Sequence, residues 1–281
     1  MYNGLVLSGG GSKGLLQLGL LEALYENKKI EKIKYLSGCS IGAILCVLIA
    51  VGYTPSEIIT YFCVNDFCSL FKGFNILLIN KYYGLIDSNV ILTYIETMVM
   101  EKLNYIPTFE DIYNKFGIVF TCPAYKVNHK LNEDPHVYFS YKTHPKMHIT
   151  KAACLSSNIP IVFTKSSYNE EYYIDGGVFD NFPVNKLIED IVSDPWEDSP
   201  YYNLIGIKFE SDKDNLEINT FFDYVKHLFV AVTKNKKNIP SDKVKVVSIK
   251  TGLSVVDFDI DNKRKIDLFI EGKNNYNFFF K

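Results

Sequence analysis

Apolar positions along this chain come in short runs divided by glycine-rich or polar breaks, and their spacing switches between period two and the helical period. Tyr2 to Leu7 predicts a short strand, and Lys13 to Asn27 sets Leu15, Leu16, Leu18, Leu20, Leu21 and Leu24 at the spacings of a mostly buried helix. Ile33 to Ser37 predicts a second strand and Ile41 to Gly52 a nearly all-apolar helix, leaving only Gly38, Cys39 and Ser40 to turn the chain. Thr54-Pro55-Ser56-Glu57 combines an N-cap threonine, a proline at the first helical position and a glutamate that can answer the cap, so a helix starts at Pro55. Asp87 or Ser88 caps a helix to Leu103, and Thr108 with Asp111 caps a shorter one.

Gly117 to Val127 and His136 to Tyr141 read as two antiparallel strands around a polar break, so the sheet is expected to be mixed. Ile149 to Ser157 predicts a short helix stopped before Pro160, followed by strands at Ile161 to Thr164 and Glu171 to Ile174 that bracket a hairpin. Pro183 opens a helix to about Val192, and acidic Ser193 to Pro200 reads as a surface loop. Leu204 to Glu210 and Val244 to Lys250 read as strands, Phe221 to Lys234 as an amphipathic helix, and Ile266 onward as helical before the aromatic end Phe278 to Phe280. No repeat and no linker interrupts the order, and residues 1–281 are expected to form a single domain.

Composition narrows the class. With 47% hydrophobic and 22% charged residues the chain has ample material for a core, and a formal net charge of -2 supplies no general basic field, so no nucleic-acid partner is expected. The first residues read as a strand rather than a leader, and the apolar run 41–53 falls short of the roughly 20 residues that span a bilayer. The 6 cysteines show no CxxC pairing and several lie in apolar runs, which suits reduced thiols and an intracellular, cytoplasmic protein. The early histidines, His129, His136, His144 and His148, lack a recognisable metal-ligand spacing.

Two motifs carry chemistry. Gly38-Cys39-Ser40-Ile41-Gly42, between a strand and a buried helix, has the GxSxG pattern of a nucleophile elbow, where small flanking residues admit a strained turn that exposes the serine. The bland alternative is that Gly38 and Gly42 only permit close helix-strand packing, with Ser40 an N-cap. The run Gly9-Gly10-Gly11-Ser12-Lys13-Gly14 matches a dinucleotide fingerprint, but the second strand then ends in Gly38-Cys39-Ser40 where an acidic residue is required. It equally suits an oxyanion hole, in which glycine amides converge at a helix N-terminus, and the two strands carrying the motifs are expected to be sheet neighbours.

A serine needs a base. The ordinary triad order leaves His227, which sits inside an amphipathic pattern, while His129, His136, His144 and His148 come too early. Asp175, before Gly176 and Gly177 at a strand end, is the alternative, and on residue chemistry alone an ordinary Asp-Gly turn remains open beside it. Ser69 to Lys72 with Lys250 to Gly252 imitates β-lactamase motifs, but no Ser-Asp-Asn lies between them.

Taken together, GGGSKG at 9–14, Gly19-Leu20-Leu21, GCSIG at 38–42, the Ala153 to Pro160 segment and DGGVFDNFPV at 175–184 resemble the patatin-like phospholipases, over roughly residues 4–210. The resemblance implies an α/β fold, a three-layer αβα sandwich with a largely parallel central sheet, and hydrolysis of lipid acyl esters by a Ser-Asp dyad without histidine, metal or cofactor. It implies Ser40 as nucleophile, Asp175 as base and the amides of Gly9, Gly10 and Gly11 as oxyanion hole. Gly14, Gly38, Gly42, Gly176 and Gly177 are then the motif glycines, and Lys13 stands where many relatives have arginine. The implied partner is a phospholipid or other acyl lipid, met at a peripheral membrane surface. The stretch Phe67 to Ile86 reads as a lid or as core-packed loops, and its aromatic part Phe67 to Tyr83 could meet such a surface together with Phe278 to Phe280 and the lysines at 234, 236, 237, 243 and 245. A non-catalytic lipid- or protein-binding module on the same fold is the competing reading.

Overall fold

The structure, a computed structural model, describes residues 1–71, 75–194, 201–211, 218, 224, 244–253 and 260–280. Its strands are β1 (Tyr2–Leu7), β2 (Ile30–Gly38), β3 (Gly84–Ile86), β4 (Val119–Lys126), β5 (His136–Ser140), β6 (Ile161–Phe163), β7 (Ser166–Tyr168), β8 (Glu171–Asp175), β9 (Leu204–Ser211) and β10 (Val244–Thr251). The helices are α1 (Gly14–Glu26), α2 (Ile41–Ala50), α3 (Pro55–Val64), α4 (Ile79–Tyr82), α5 (Asn89–Leu103), α6 (Phe109–Phe116), α7 (Ile149–Ser156), α8 (Val184–Val192), α9 (Asn262–Asn274) and α10 (Tyr276–Phe279). The expected amphipathic helix at 221–234, with His227, and most of the loop 193–200 lie outside the described residues, as do Lys234, Lys236, Lys237 and Lys243.

The central sheet runs β10-β9-β1-β2-β4-β8-β7, with β5 on the other edge of β4. The first five of these strands are parallel, and β5, β8 and β7 supply the antiparallel part. Period-two alternation sorts β1 between two cores: Leu5 and Leu7 face the helices α1, α2, α3, α5, α7 and α9, whereas Val6 faces α8. That two-sided burial makes the three layers. Among the described residues no single helix is long and apolar enough to cross a membrane.

The local signals act as anticipated at several ends. Thr54 and Glu57 close a reciprocal capping box on α3, and Thr108 with Asp111 does the same on α6. One pairing differs from the expectation. The hairpin partner of β8 is β7, while β6 leaves to pair in parallel with β3 as a separate two-stranded sheet. The reason is a short turn at Asn169 and Glu170, both at positive φ, which joins β7 to β8 directly and leaves Ile161–Phe163 for Gly84–Ile86.

The register of β4 positions the site. Val119 to Thr121 pair with the end of β2, and Ala124 to Lys126 pair with β8 running the opposite way. Because β5 holds the other edge through residues 121–125, β2 and β8 share one edge of β4 and meet end to end. Their meeting ends are Gly38 and Asp175.

Candidate active site

Ser40 occupies the turn between β2 and α2 at φ 55 and ψ -126, a conformation a non-glycine residue adopts only when its surroundings impose it, at a cost of about 1–3 kcal/mol. The restraints are visible: the Ser40 carbonyl accepts from Ala43 N–H at 2.9 Å, and Cys39 C=O accepts from Gly42 N–H at 2.8 Å. The turn fits only with glycine on both sides. A Cβ at Gly38 would lie 2.3 Å from the Gly42 carbonyl oxygen, and one at Gly42 would lie 2.3 Å from that of Leu7. Ser40 N–H donates to Ser156 Oγ on α7 at 3.3 Å, which ties the elbow to a third element.

Asp175 is fully buried at the end of β8. Its backbone N–H donates to Asn158 C=O at 2.9 Å, and Asn158 Nδ2 donates to Tyr173 C=O at 2.9 Å, so the residues after α7 set the height of the strand end. Oδ1 accepts the Gly177 N–H at 2.7 Å and the Cys39 thiol at 3.7 Å. Oδ2 is buried and meets no donor at full hydrogen-bonding geometry among the described residues. Burial pushes the carboxyl up to about 6, against the opposing pull of the Ser40 hydroxyl, the Gly177 amide and the Cys39 thiol. The Ser40 hydroxyl thus acts on this carboxylate and favours its charged form.

The glycine loop lies beside the serine. A Cβ at Gly9 would fall 3.1 Å from Ser40 Cβ, and one at Gly14 would fall 2.5 Å from Ile41 Cγ1. The three amides differ. Gly9 N–H donates to Asn181 C=O at 3.2 Å, whereas Gly10 and Gly11 N–H donate to nothing among the described residues. Gly176 packs on Pro123, where a Cβ would lie 2.3 Å from the carbonyl oxygen, and Gly177 spends its amide on Asp175. Lys13 is buried, with its ammonium 5.7 Å from the centre of the Phe209 ring.

A cavity opens at Ser40. Gly11, Ser12, Gly14 and Leu15 border it from the glycine loop and α1, Ile41 and Ile44 from α2, and Phe62, Phe67 and Cys68 from α3 and the turn after it. Ile91, Ser157, Ile159, Phe163 and Lys265 also line it. Most of these side chains are apolar, which suits a hydrocarbon ligand. Phe67 and Cys68 thus form wall, while Ile76 and Leu77 further along the same stretch are exposed. At the other expected surface feature, Phe278 is exposed, but Phe280 stacks on Tyr276 at 4.9 Å and Lys245 donates to Phe279 C=O.

Among the described residues no histidine hydrogen-bonds to Ser40 or Asp175 or borders the cavity, and no three His, Cys, Asp or Glu side chains cluster as a metal site. The structure also brings in residues that the sequence did not single out: Cys39, Ser156, Asn158, Asn181 and Lys265. Ser156 and Asn158 fall within the Ala153 to Pro160 block and Asn181 within DGGVFDNFPV, so the blocks marked the region without assigning these atoms. Nothing in the sequence marks Lys265.

Comparison with known proteins follows the same blocks. The family profile described as Patatin-like phospholipase matches residues 5–188. Probable lipid hydrolase 463L of Invertebrate iridescent virus 6 is 39% identical over 199 residues, 67% of this chain and 64% of its own length. Protein R571 of Acanthamoeba polyphaga mimivirus is 28% identical over 94% of this chain and 89% of its own. VipD from Legionella pneumophila superposes with a TM-score of 0.54 at 16% identity, over 97% of this chain and 65% of that one. The chain thus spans about two thirds of the iridescent-virus relative's length.

Proposed function

The chain belongs to the patatin-like phospholipase family, and from that premise we propose that it hydrolyses lipid acyl esters through a Ser40–Asp175 dyad. The observation that carries this reading is a strained serine facing a buried carboxylate whose Oδ2 lacks a donor among the described residues, beside a largely apolar cavity.

In the reaction, Asp175 accepts the Ser40 proton as Oγ bonds to the ester carbonyl carbon. The carbonyl oxygen becomes an oxyanion held by the Gly10 and Gly11 amides, near the positive N-terminus of α1. Gly9, its amide committed to Asn181, fixes the loop instead of serving the oxyanion. Collapse expels the alkoxide, which takes the proton back from Asp175 and leaves an acyl-enzyme. Asp175 then deprotonates a water that attacks the acyl carbon, and collapse returns Ser40 and a fatty acid. With its pKa at about 6, Asp175 is ionised at neutral pH and still a stronger base than an ordinary carboxylate. The acyl chain lies in the cavity and the head group outside it, which suits a phospholipase A or lysophospholipase working at a peripheral membrane surface. No metal or cofactor enters the scheme.

The test is acyl release from a mixed panel of phospholipids, lysophospholipids and triacylglycerols, with fluorophosphonate labelling in parallel. Ser40→Ala should lose labelling and at least about a thousandfold in kcat, and Asp175→Asn should lose hydrolysis while keeping the fold. Full activity in either folded variant would overturn the dyad, and an unlabelled wild type without hydrolysis would favour the binding module.

A further inference from the structure

Among the described residues, every one bordering the cavity falls within the family-matched segment except Lys265, which comes from α9, beyond residues 5–188. Its side chain is completely buried, yet its charge is spent elsewhere. Nζ donates to Phe62 C=O at 3.2 Å, to Asp66 Oδ1 at 2.7 Å and to Asn262 Oδ1 at 3.0 Å. An ammonium has three protons to give, and all three are matched, so what the cavity meets is the aliphatic stem. The Asp66 side chain is half exposed. The stem of Lys265 therefore lies between the cavity on one side and the protein surface on the other.

The helix that delivers it is fixed in place. Gly272 comes so close to α1 that a Cβ there would lie 2.1 Å from the Leu16 carbonyl oxygen, and Leu268 is buried against the same core. Asp261 caps the helix one turn before Lys265, accepting Arg264 N–H at 2.7 Å. A polar side chain of this length, buried with its head group saturated, has the build of a bolt rather than of a ligand-binding cation.

We propose that Lys265 closes the far end of the acyl cavity and sets the longest acyl chain that Ser40 can process. The inference rests on the cavity being the acyl site of the Ser40 reaction. A chain that fits buries each methylene against apolar walls. One that overruns must displace the stem and break its three hydrogen bonds, or leave its terminal carbons in water.

The measurement is kcat/KM for esters of one alcohol with a graded series of saturated acyl chains, on wild type, Lys265→Ala and Lys265→Met, with Tm recorded for each. Wild type should rise with chain length and then break. Lys265→Ala should shift the break to longer chains, gaining up to about fourfold in kcat/KM per methylene newly accommodated, the rate equivalent of ~0.8 kcal/mol per buried CH₂. Lys265→Met keeps an unbranched stem in the same space and should keep the wild-type break. A folded Lys265→Ala with the wild-type profile would overturn the proposal. Should the alanine variant not fold, alkyl fluorophosphonates of graded length on the wild type replace it: labelling that rises and then falls supports the stop, and labelling that rises to the longest probe overturns it. Hydrolysis surviving Ser40→Ala would instead refute the dyad, so the two failures are distinct.

Discussion

Replacing Asp175 by Asn should remove catalysis and, at neutral pH, stabilise the fold. The carboxyl is fully buried and its pKa is raised from 3.8 to about 6, chiefly by desolvation. A carboxyl whose folded-state pKa lies above its unfolded value binds its proton more tightly in the native chain, so native stability falls as pH rises between the two values. The penalty is absent below the unfolded pKa and complete above the folded one. Roughly two pKa units correspond to about 3 kcal/mol at pH 8, and the same relation leaves about 1.5 kcal/mol at pH 5. Asparagine carries no charge, and its carbonyl can still accept the Gly177 N–H that Oδ1 accepts at 2.7 Å. Denaturant melts of wild type and Asp175→Asn across this range should therefore show a stability difference favouring the variant and growing with pH. A difference that is flat with pH, or a variant less stable than wild type at pH 8, would refute the buried, unpaired carboxylate. The same titration should appear in the wild-type kcat/KM as an acid limb near the folded-state value, since only the ionised form can take the Ser40 proton.

Cys39→Ala removes a donor to Oδ1 and should move that acid limb upward, while Cys39→Ser, which still donates, should restore it or lower it; pH-rate profiles of the two variants check this. Ser156→Ala deprives the Ser40 amide of its acceptor inside the protein, and an unmatched buried donor costs about 1–3 kcal/mol, so kcat should fall with KM little changed in steady-state assays.

Much of this site was legible in the chain because its parts are local. A strand, a glycine run and a leucine-spaced helix announce the loop that holds Gly10 and Gly11, and the three residues left between β2 and α2 force the tight turn at Ser40. Asp175 was only half legible, since an Asp-Gly dipeptide at a strand end is common in turns. What singles it out is that β8 ends against the end of β2, a matter of which edge of β4 each strand takes, and no local pattern encodes that choice. The β7–β8 hairpin escaped for a related reason. Ser166–Tyr168 is too short and polar to read as a strand, whereas apolar Ile161–Phe163 reads as one and pairs elsewhere. Lys265 was invisible because a lone lysine in a charged helix is ordinarily solvated, and only the packing of α9 on α1 and α3 buries it.

The shared edge of β4 makes that strand a ruler. Thr121 is its last partner for β2 and Ala124 its first for β8, so the few backbone units between them fix how far Ser40 stands from Asp175. Such a ruler reads only in steps of two. Sliding β8 by a single residue would turn Asp175 to the opposite face of the sheet, while sliding it by two would keep the face but carry the carboxylate along the strand by about 6.6 Å. The distance between the Ser40 hydroxyl and the Asp175 carboxylate is thus quantised by the pleat, and side-chain repacking can refine it but cannot replace a lost register.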